Sequence, residues 1–354
     1  MQTDSDTIQT GNINHICLLR LSAVGDICHT LPIVRTIQEY LPKTRLTWVI
    51  GKTEYSLVQD IPGIEFIVFD KSLGLAAYKQ VMNQLRGKNI DILLHMQMSL
   101  RASMLSLLIK APVKIGFDRQ RAKDMQWLFT NRKITYKPAQ HVIDSFFGFA
   151  EAIGIQEHLY KWDIPLPAEA KDFANQYIQA DRPLLVISPC SSMAYRNWNI
   201  PGYARVANYA VEKYHMQVII TGGPSEIEKH YGEEILQQVN VPVTNLVGKT
   251  NLKQLLAILS RAKAVLAPDA GPAHMATAVN TPVIGLYATT NPDRARPYLS
   301  AEYTVNHYPE AVMDKHGKTV DEVPWGTRVR DEGTMDRITV DDVTCMLDKI
   351  MQVS

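Results

Sequence analysis

The sequence is poor in cysteine, in aromatic residues and in any excess of charge. Its four cysteines, Cys17, Cys28, Cys190 and Cys345, are scattered through 354 residues without a CxxC pair. That spacing excludes a zinc ribbon or a disulfide framework and points to reduced thiols. With 37 basic against 36 acidic residues the formal net charge is +1, so no global field draws the chain to nucleic acid. No run reaches the ~18 apolar residues of a membrane helix, and the polar start MQTDSDTIQTGN has no apolar signal core. The expectation is a cytoplasmic protein that meets a membrane only through a local patch. Neither GxGxxG nor a Walker loop occurs, which makes a hydride-transferring dehydrogenase a poor fit. The one Asp-x-Asp, Asp4-Ser5-Asp6, falls in the polar start, so no metal site and no cofactor are expected.

What the sequence does contain is a repeated alternation of apolar strands and helices, which predicts α/β architecture with parallel, doubly wound sheets. His15 to Leu21, Leu46 to Gly51, Glu65 to Asp70 and Ile90 to Met96 read as strands of a first half. A helix over His141 to Ile153 closes it, and the proline-broken WDIPLPAEA looks like a linker. Strands at Pro183 to Pro189, Gln217 to Gly223 and Thr244 to Gly248 restart the pattern. At this length two cores are expected. The boundaries drawn are 1–163, 164–335, and a terminal amphipathic helix in 336–354 able to pack back on the first domain. The segment His307 to Met335 is poorly periodic and has no assigned role.

The chain is organised around Ala264 to Tyr287: apolar strand, sharp turn, small-residue helix, apolar strand. The turn delivers Asp269 and Ala270, Gly271 permits close approach of the backbone, and His274 lies in the first helical turn. Unpaired N–H groups and the helix dipole point at the same place, which suits an anion. A lone Asp here would only cap the helix; Gly, Pro and His clustered at the end of a buried strand favour a ligand corner. Gly25 and Asp26 occupy the equivalent place after the first strand, where Asp26 is either a helix-start acid or a functional carboxylate. After the fourth strand of the first half runs the most basic region, with Arg101, Lys110, Lys114, Arg119, Arg121, Lys123, Arg132 and Lys133. It is either a solvated face or a contact for phosphate or carboxylate.

The pairing of LLRLSAVGDICHTLP near the start with PDAGPAHMATAVNTPVIGLYATTNPDR near the end resembles glycosyltransferase family 9, the ADP-heptose:lipopolysaccharide heptosyltransferases. The similarity runs from about His15 onward and is nearest to the branch that adds the first heptose to Kdo, including the WGTRVR stretch, Trp325 to Arg330. The resemblance implies a GT-B fold, two Rossmann-like domains facing across a cleft with acceptor on the N-terminal side and donor on the C-terminal side. It implies Asp26 as general base and Arg196 as the cation for the departing diphosphate. It places the donor on Ser191, Ser192, Glu226, Thr250, Asp269, Ala270, Gly271 and His274. Thr250 stands where Met is frequent, and Arg196 where Lys is usual. The implied partners are ADP-heptose and Kdo-lipid A at the cytoplasmic face of the inner membrane, with Arg101, Arg119, Arg121 and Lys123 meeting acceptor phosphates. Chemically, an inverting transfer needs a carboxylate for the acceptor proton and cations or N–H dipoles for the leaving diphosphate, and these residue types supply both. Two alternatives stand beside it: another nucleotide sugar or a heptose II acceptor on the same fold, and a non-catalytic nucleotide-sugar-binding protein, which would have no need of Asp26.

Overall fold

The computed structural model describes residues 13–353; the Asp4-Ser5-Asp6 triplet lies outside them. The chain divides into two compact units, Met1–Pro165 and Leu166–Ser354.

In the first unit the strands are β1 (His15–Leu19), β2 (Arg45–Gly51), β3 (Ile64–Phe69), β4 (Ile92–His95), β5 (Val113–Gly116) and β6 (Arg132–Lys133). All pair in parallel, in the order β3-β2-β1-β4-β5-β6. The central strands β1 and β4 are buried from end to end, as expected for parallel strands covered by helices on both faces. Trp162 is also part of this unit: its indole N–H donates to the Cys28 carbonyl at 2.8 Å, and Arg35 donates to the Trp162 and Asp163 carbonyls. These bonds hold the start of the proline-broken linker on the helix Val24–Tyr40, and the first unit runs to Pro165.

The second unit repeats the scheme with β7 (Leu184–Ile187), β8 (Gln217–Ile220), β9 (Thr244–Asn245), β10 (Ala264–Pro268), β11 (Val283–Tyr287) and β12 (Thr304–Asn306). Its order, β12-β11-β10-β7-β8-β9, is that of the first sheet read from the other edge. In each sheet the chain starts at the centre, winds to one side, and returns to wind to the other. The switch therefore lies between β1 and β4 in one unit and between β7 and β10 in the other, where the crevice outside the carboxyl ends receives ligands in folds of this type.

The terminal helix Val340–Gln352 belongs to the second unit. It lies against the helix Ile200–Tyr214, and Asp348 accepts from Tyr209, Tyr214 and Lys213 at 2.7–2.9 Å. Val343, Leu347 and Ile350 complete that unit's core. The helix expected as able to pack back on the first domain is thus built into the core of the second unit. The segment 307–335 also has structure: a helix at Tyr308–His316, then an extended stretch in which Arg328 makes an antiparallel bridge to Thr290. Among the described residues no helix is long and apolar enough to cross a membrane.

Candidate active site

At the first unit's switch point, β1 is followed by Arg20 and Leu21 and the next helix opens at Val24, which puts Asp26 in its first turn. The Arg20 guanidinium pairs with the Asp26 carboxylate and donates to the Met96 carbonyl past β4 at 2.5 Å. Arg20 is buried, whereas the Asp26 side chain is 37% exposed and open to an incoming hydroxyl. The Ala23 N–H donates to Asp26 Oδ2 at 3.3 Å. Gln97, beyond β4, accepts from the Leu21 and Ser22 N–H groups at 2.6 and 3.2 Å, tying the two exit loops together. His29, one turn along the helix, has Nδ1 3.9 Å from Asp26. Glu54 is a second carboxylate in this field; its burial raises its carboxyl above the ordinary range, and both Arg20 and Asp26 act on it.

The basic segment contributes β5, β6 and the loop between them. Gln126 anchors that loop to the end of β4, its amide donating to the His95 and Gln97 carbonyls at 2.8 and 3.2 Å. Burial, with Lys114 and Arg20 adding to it, lowers His95 to about 4, so its imidazole is neutral at physiological pH. Arg101, Arg119 and Lys123 are exposed, with Arg119 stacked 5.3 Å from the Trp127 ring centre. Arg121 departs from expectation. It pairs with buried Asp118 and donates to Ser145, to Gln140 and to the Thr135 carbonyl. Its donors are committed to closing the loop, which removes it from the residues available to an acceptor phosphate.

At the second unit's switch point the corner after β10 gathers most of the expected donor residues. The Asp269 carboxylate lies 3.1 Å from Arg196 Nη1 and 3.7 Å from His274 Nε2. Asp269 and Arg196 side chains are only 12% and 13% exposed. Burial alone would raise the Asp269 carboxyl, but His274 and Arg196 outweigh it and hold the group below the ordinary carboxylate range. The Asp269 carbonyl accepts from Ser191 Oγ at 3.0 Å and from Arg196 Nη1 at 3.2 Å, so the loop after β7 is stitched to the corner after β10. Ala270 is the N-cap of the helix Gly271–Ala278, whose first N–H groups face this corner. Ser191 is engaged here, and Ser192 is exposed. Trp198, which follows Arg196 by two residues, is buried and donates to the Ile338 carbonyl at 3.0 Å, giving the loop a foot in the core.

Glu226 and Thr250 stand apart from this group, at the starts of the helices that follow β8 and β9. Glu226 is 90% exposed and pairs with Lys229 at 2.8 Å; the acid turned inward is Glu228, which accepts from the Gly223 N–H and Ser225 hydroxyl. Three residues not among the expected site residues also belong here: Arg20, Gln97 and Tyr195. Arg20 was detectable only as a charge at the end of an apolar strand. A cavity of about 460 Å³ opens beside Tyr195, Trp198 and Arg330, with Asp331, Glu332 and Asp336 also on its lining. Among the described residues no group of three or more His, Cys, Asp or Glu side chains is placed to hold a metal ion.

The family profile described as glycosyltransferase family 9 (heptosyltransferase) matches residues 78–323. The lipopolysaccharide core heptosyltransferase OpsX of Haemophilus influenzae is 45% identical over 335 residues, 95% of this chain and 96% of that protein. The chain belongs to glycosyltransferase family 9. Solved structures agree at the level of fold. A family 9 glycosyltransferase from Veillonella parvula superimposes with a TM-score of 0.81 at 19% identity, covering 99% of this chain and 100% of that one. Escherichia coli heptosyltransferase WaaC with ADP gives 0.70 at 18% identity, covering 95% and 99%. The two doubly wound sheets of this family 9 enzyme are thus the Rossmann-like halves of a GT-B fold.

Proposed function

We propose that this family 9 enzyme transfers L-glycero-D-manno-heptose from ADP-heptose to the Kdo of the lipopolysaccharide inner core, with inversion at the anomeric carbon. The observation that carries the reading is the pair of built corners at equivalent switch points, one presenting an exposed carboxylate and the other a buried guanidinium–carboxylate pair at a helix start. The sugar and the pathway are supported by the 45% identity to a lipopolysaccharide core heptosyltransferase.

In this reading the acceptor hydroxyl oxygen attacks the anomeric carbon opposite the diphosphate. Its proton passes to the Asp26 carboxylate, and the bond from carbon to phosphate oxygen breaks with its electron pair leaving on ADP. Arg20 positions Asp26 through the guanidinium–carboxylate pair, and the acceptor displaces water around the carboxylate. Arg196 and the N–H groups at Gly271 take up charge on the leaving diphosphate. Glu226 and Thr250 are assigned to the nucleoside, Ser192 to the phosphates.

The acceptor side is assigned to the first unit, with peripheral contact at the membrane through the loops after β4 and β5. There Leu100, Met104, Leu107, Met125, Trp127 and Leu128 are exposed among Arg101, Lys110, Arg119 and Lys123. Apolar tips among cations suit an anionic lipid surface.

The deciding experiment follows turnover of ADP-heptose with Kdo-lipid A, the anomeric configuration of the product, and ADP affinity, in wild type and Asp26→Asn. Loss of transfer by about a hundredfold or more with ADP affinity within a few-fold supports the assignment. Full turnover in the variant removes Asp26 as base, and a product formed only with heptosylated Kdo moves the enzyme to the second-heptose reading.

A further inference from the structure

The stretch Trp325–Arg330, a turn at Trp325–Gly326 followed by a bridge at Arg328, is unexplained by the roles given so far. It runs beside the exit of β11: the Val329 N–H donates to the Thr289 carbonyl at 3.0 Å, Arg328 bridges Thr290, and the Tyr308 hydroxyl donates to the Thr327 carbonyl at 3.0 Å. Val329 is buried with Tyr308, Ala311 and Val312. In extended backbone alternate side chains share a face, so burying Val329 turns Arg328 and Arg330 together the other way. Arg330 then lies 5.6 Å from the Tyr195 ring centre, and Arg196 lies 5.6 Å from the same centre.

These two guanidiniums differ in what they already hold. Arg196 is matched by the Asp269 carboxylate, so the pair together brings almost no net charge to a diphosphate. Arg330 is exposed, and among the described residues neither it nor Arg328 makes an ion pair or a side-chain hydrogen bond. Of the three acids that line a cavity with Arg330, Asp331 is bound to Lys315 at 2.5 Å and Asp336 accepts from the Asn199 amide at 2.8 Å, and among the described residues neither these nor Glu332 forms an ion pair with Arg330. The Tyr195 hydroxyl is also buried and without a hydrogen-bond partner among the described residues.

We infer that Arg330, carried by the Trp325–Arg330 strap and stacked on Tyr195, is a second diphosphate-binding residue that supplies the net positive charge Arg196 lacks, with Arg328 as its lesser partner. The inference rests on the reading of the Asp269 corner as a nucleoside-diphosphate site. A planar, unpaired guanidinium braced on an aromatic face is preorganised for a phosphate fork, so little side-chain freedom is lost on binding.

The test is calorimetric titration of the full chain with ADP, AMP and adenosine, in wild type, Arg330→Ala, Arg330→Lys and Arg328→Ala, beside thermal unfolding of each. The expected result is an ADP Kd raised about tenfold or more in Arg330→Ala, a smaller change with AMP, and none with adenosine. Arg330→Lys restores part of the loss, since it returns the charge without the stack, and Arg328→Ala has the smaller effect. Unchanged ADP affinity in a folded Arg330→Ala overturns the inference. So does an equal loss for ADP and adenosine, which would mean the strap only shapes the loop. If ADP affinity holds while the acceptor KM rises, the anion is a phosphate of the acceptor and the donor assignment of Arg330 is wrong. Wild type that binds no ADP at all would instead overturn the donor reading of the corner itself.

Discussion

Replacing Asp269 by Asn keeps the side chain's size and removes its charge. Arg196 then loses the carboxylate at 3.1 Å and retains the main-chain carbonyl at 3.2 Å. Breaking one side of a buried pair costs about 3–5 kcal/mol. The retained carbonyl bond and the residual 12% and 13% exposure reduce the expectation to about 2–3 kcal/mol. For a unit of this size that corresponds to a fall of about 4–12 °C in the calorimetric Tm. Arg196→Met should cost at least as much, because it leaves a buried carboxylate with only His274 beside it. The double variant should then be less unstable than the sum of the singles by about 1–3 kcal/mol. Ligand binding separates the two singles: Arg196→Met weakens ADP, whereas Asp269→Asn releases the guanidinium and leaves ADP affinity equal or improved. The pH dependence has a fixed sign. A carboxyl held below its unfolded value stabilises the fold above about pH 4 and loses that contribution as pH falls through the folded value, so wild type and Asp269→Asn should converge in stability in that acid range. Additivity of the two substitutions within about 0.5 kcal/mol would refute the pair as an energetic unit.

Three further outcomes follow from contacts described above. In Gly202→Ala the added methyl carbon would sit 2.5 Å from the Trp198 ring, so stability should fall by about 1–3 kcal/mol and ADP binding should weaken with it, as the Arg196 loop shifts; denaturant unfolding and titration read both. Arg121→Ala should lower the stability of the first unit by about 2–4 kcal/mol, while Arg119→Glu should leave thermal unfolding unchanged and reduce co-sedimentation with anionic vesicles, a contrast that fails if both behave alike. Burial pushes the Cys28 and Cys190 thiols up to about 12 and Cys17 higher still, so at pH 8 a thiol reagent should label only exposed Cys345 quickly, one equivalent per chain.

Most of the architecture was legible because buried parallel strands are written as apolar runs, and β1 to β4 and β7 to β11 are such runs or sit beside them. The strands that escaped are β5, with Lys114 at its second position, the two-residue β6, and the edge strand β12. Lys114 fits because its amine reaches the Ser106 carbonyl at 2.8 Å, a partner the pattern cannot announce. Asp26 and Asp269 stood out as acids just past apolar strands. Arg121 misled because a count of charges does not reveal that Asp118 is folded against it. Arg20, Tyr195 and Arg330 were hidden because their significance lies in neighbours between 6 and 135 residues away, a relation set by sheet order and not by local spelling.

Trp198 and Gln126 share an unusual position. Each is buried, yet each fixes a loop that carries exposed candidate ligand residues, through the Ile338 carbonyl in one case and the His95 and Gln97 carbonyls in the other. Elsewhere in both units, the Arg196–Asp269 pair excepted, residues that hold the fold together and residues assigned to a ligand are different residues, so substrate preference can drift by surface exchange without loss of stability. At these two positions the separation ends. A laboratory search for variants with altered donors or acceptors should find the surface loops permissive and these two anchors refractory, and any variant that does change them should need a compensating gain in the core to remain folded.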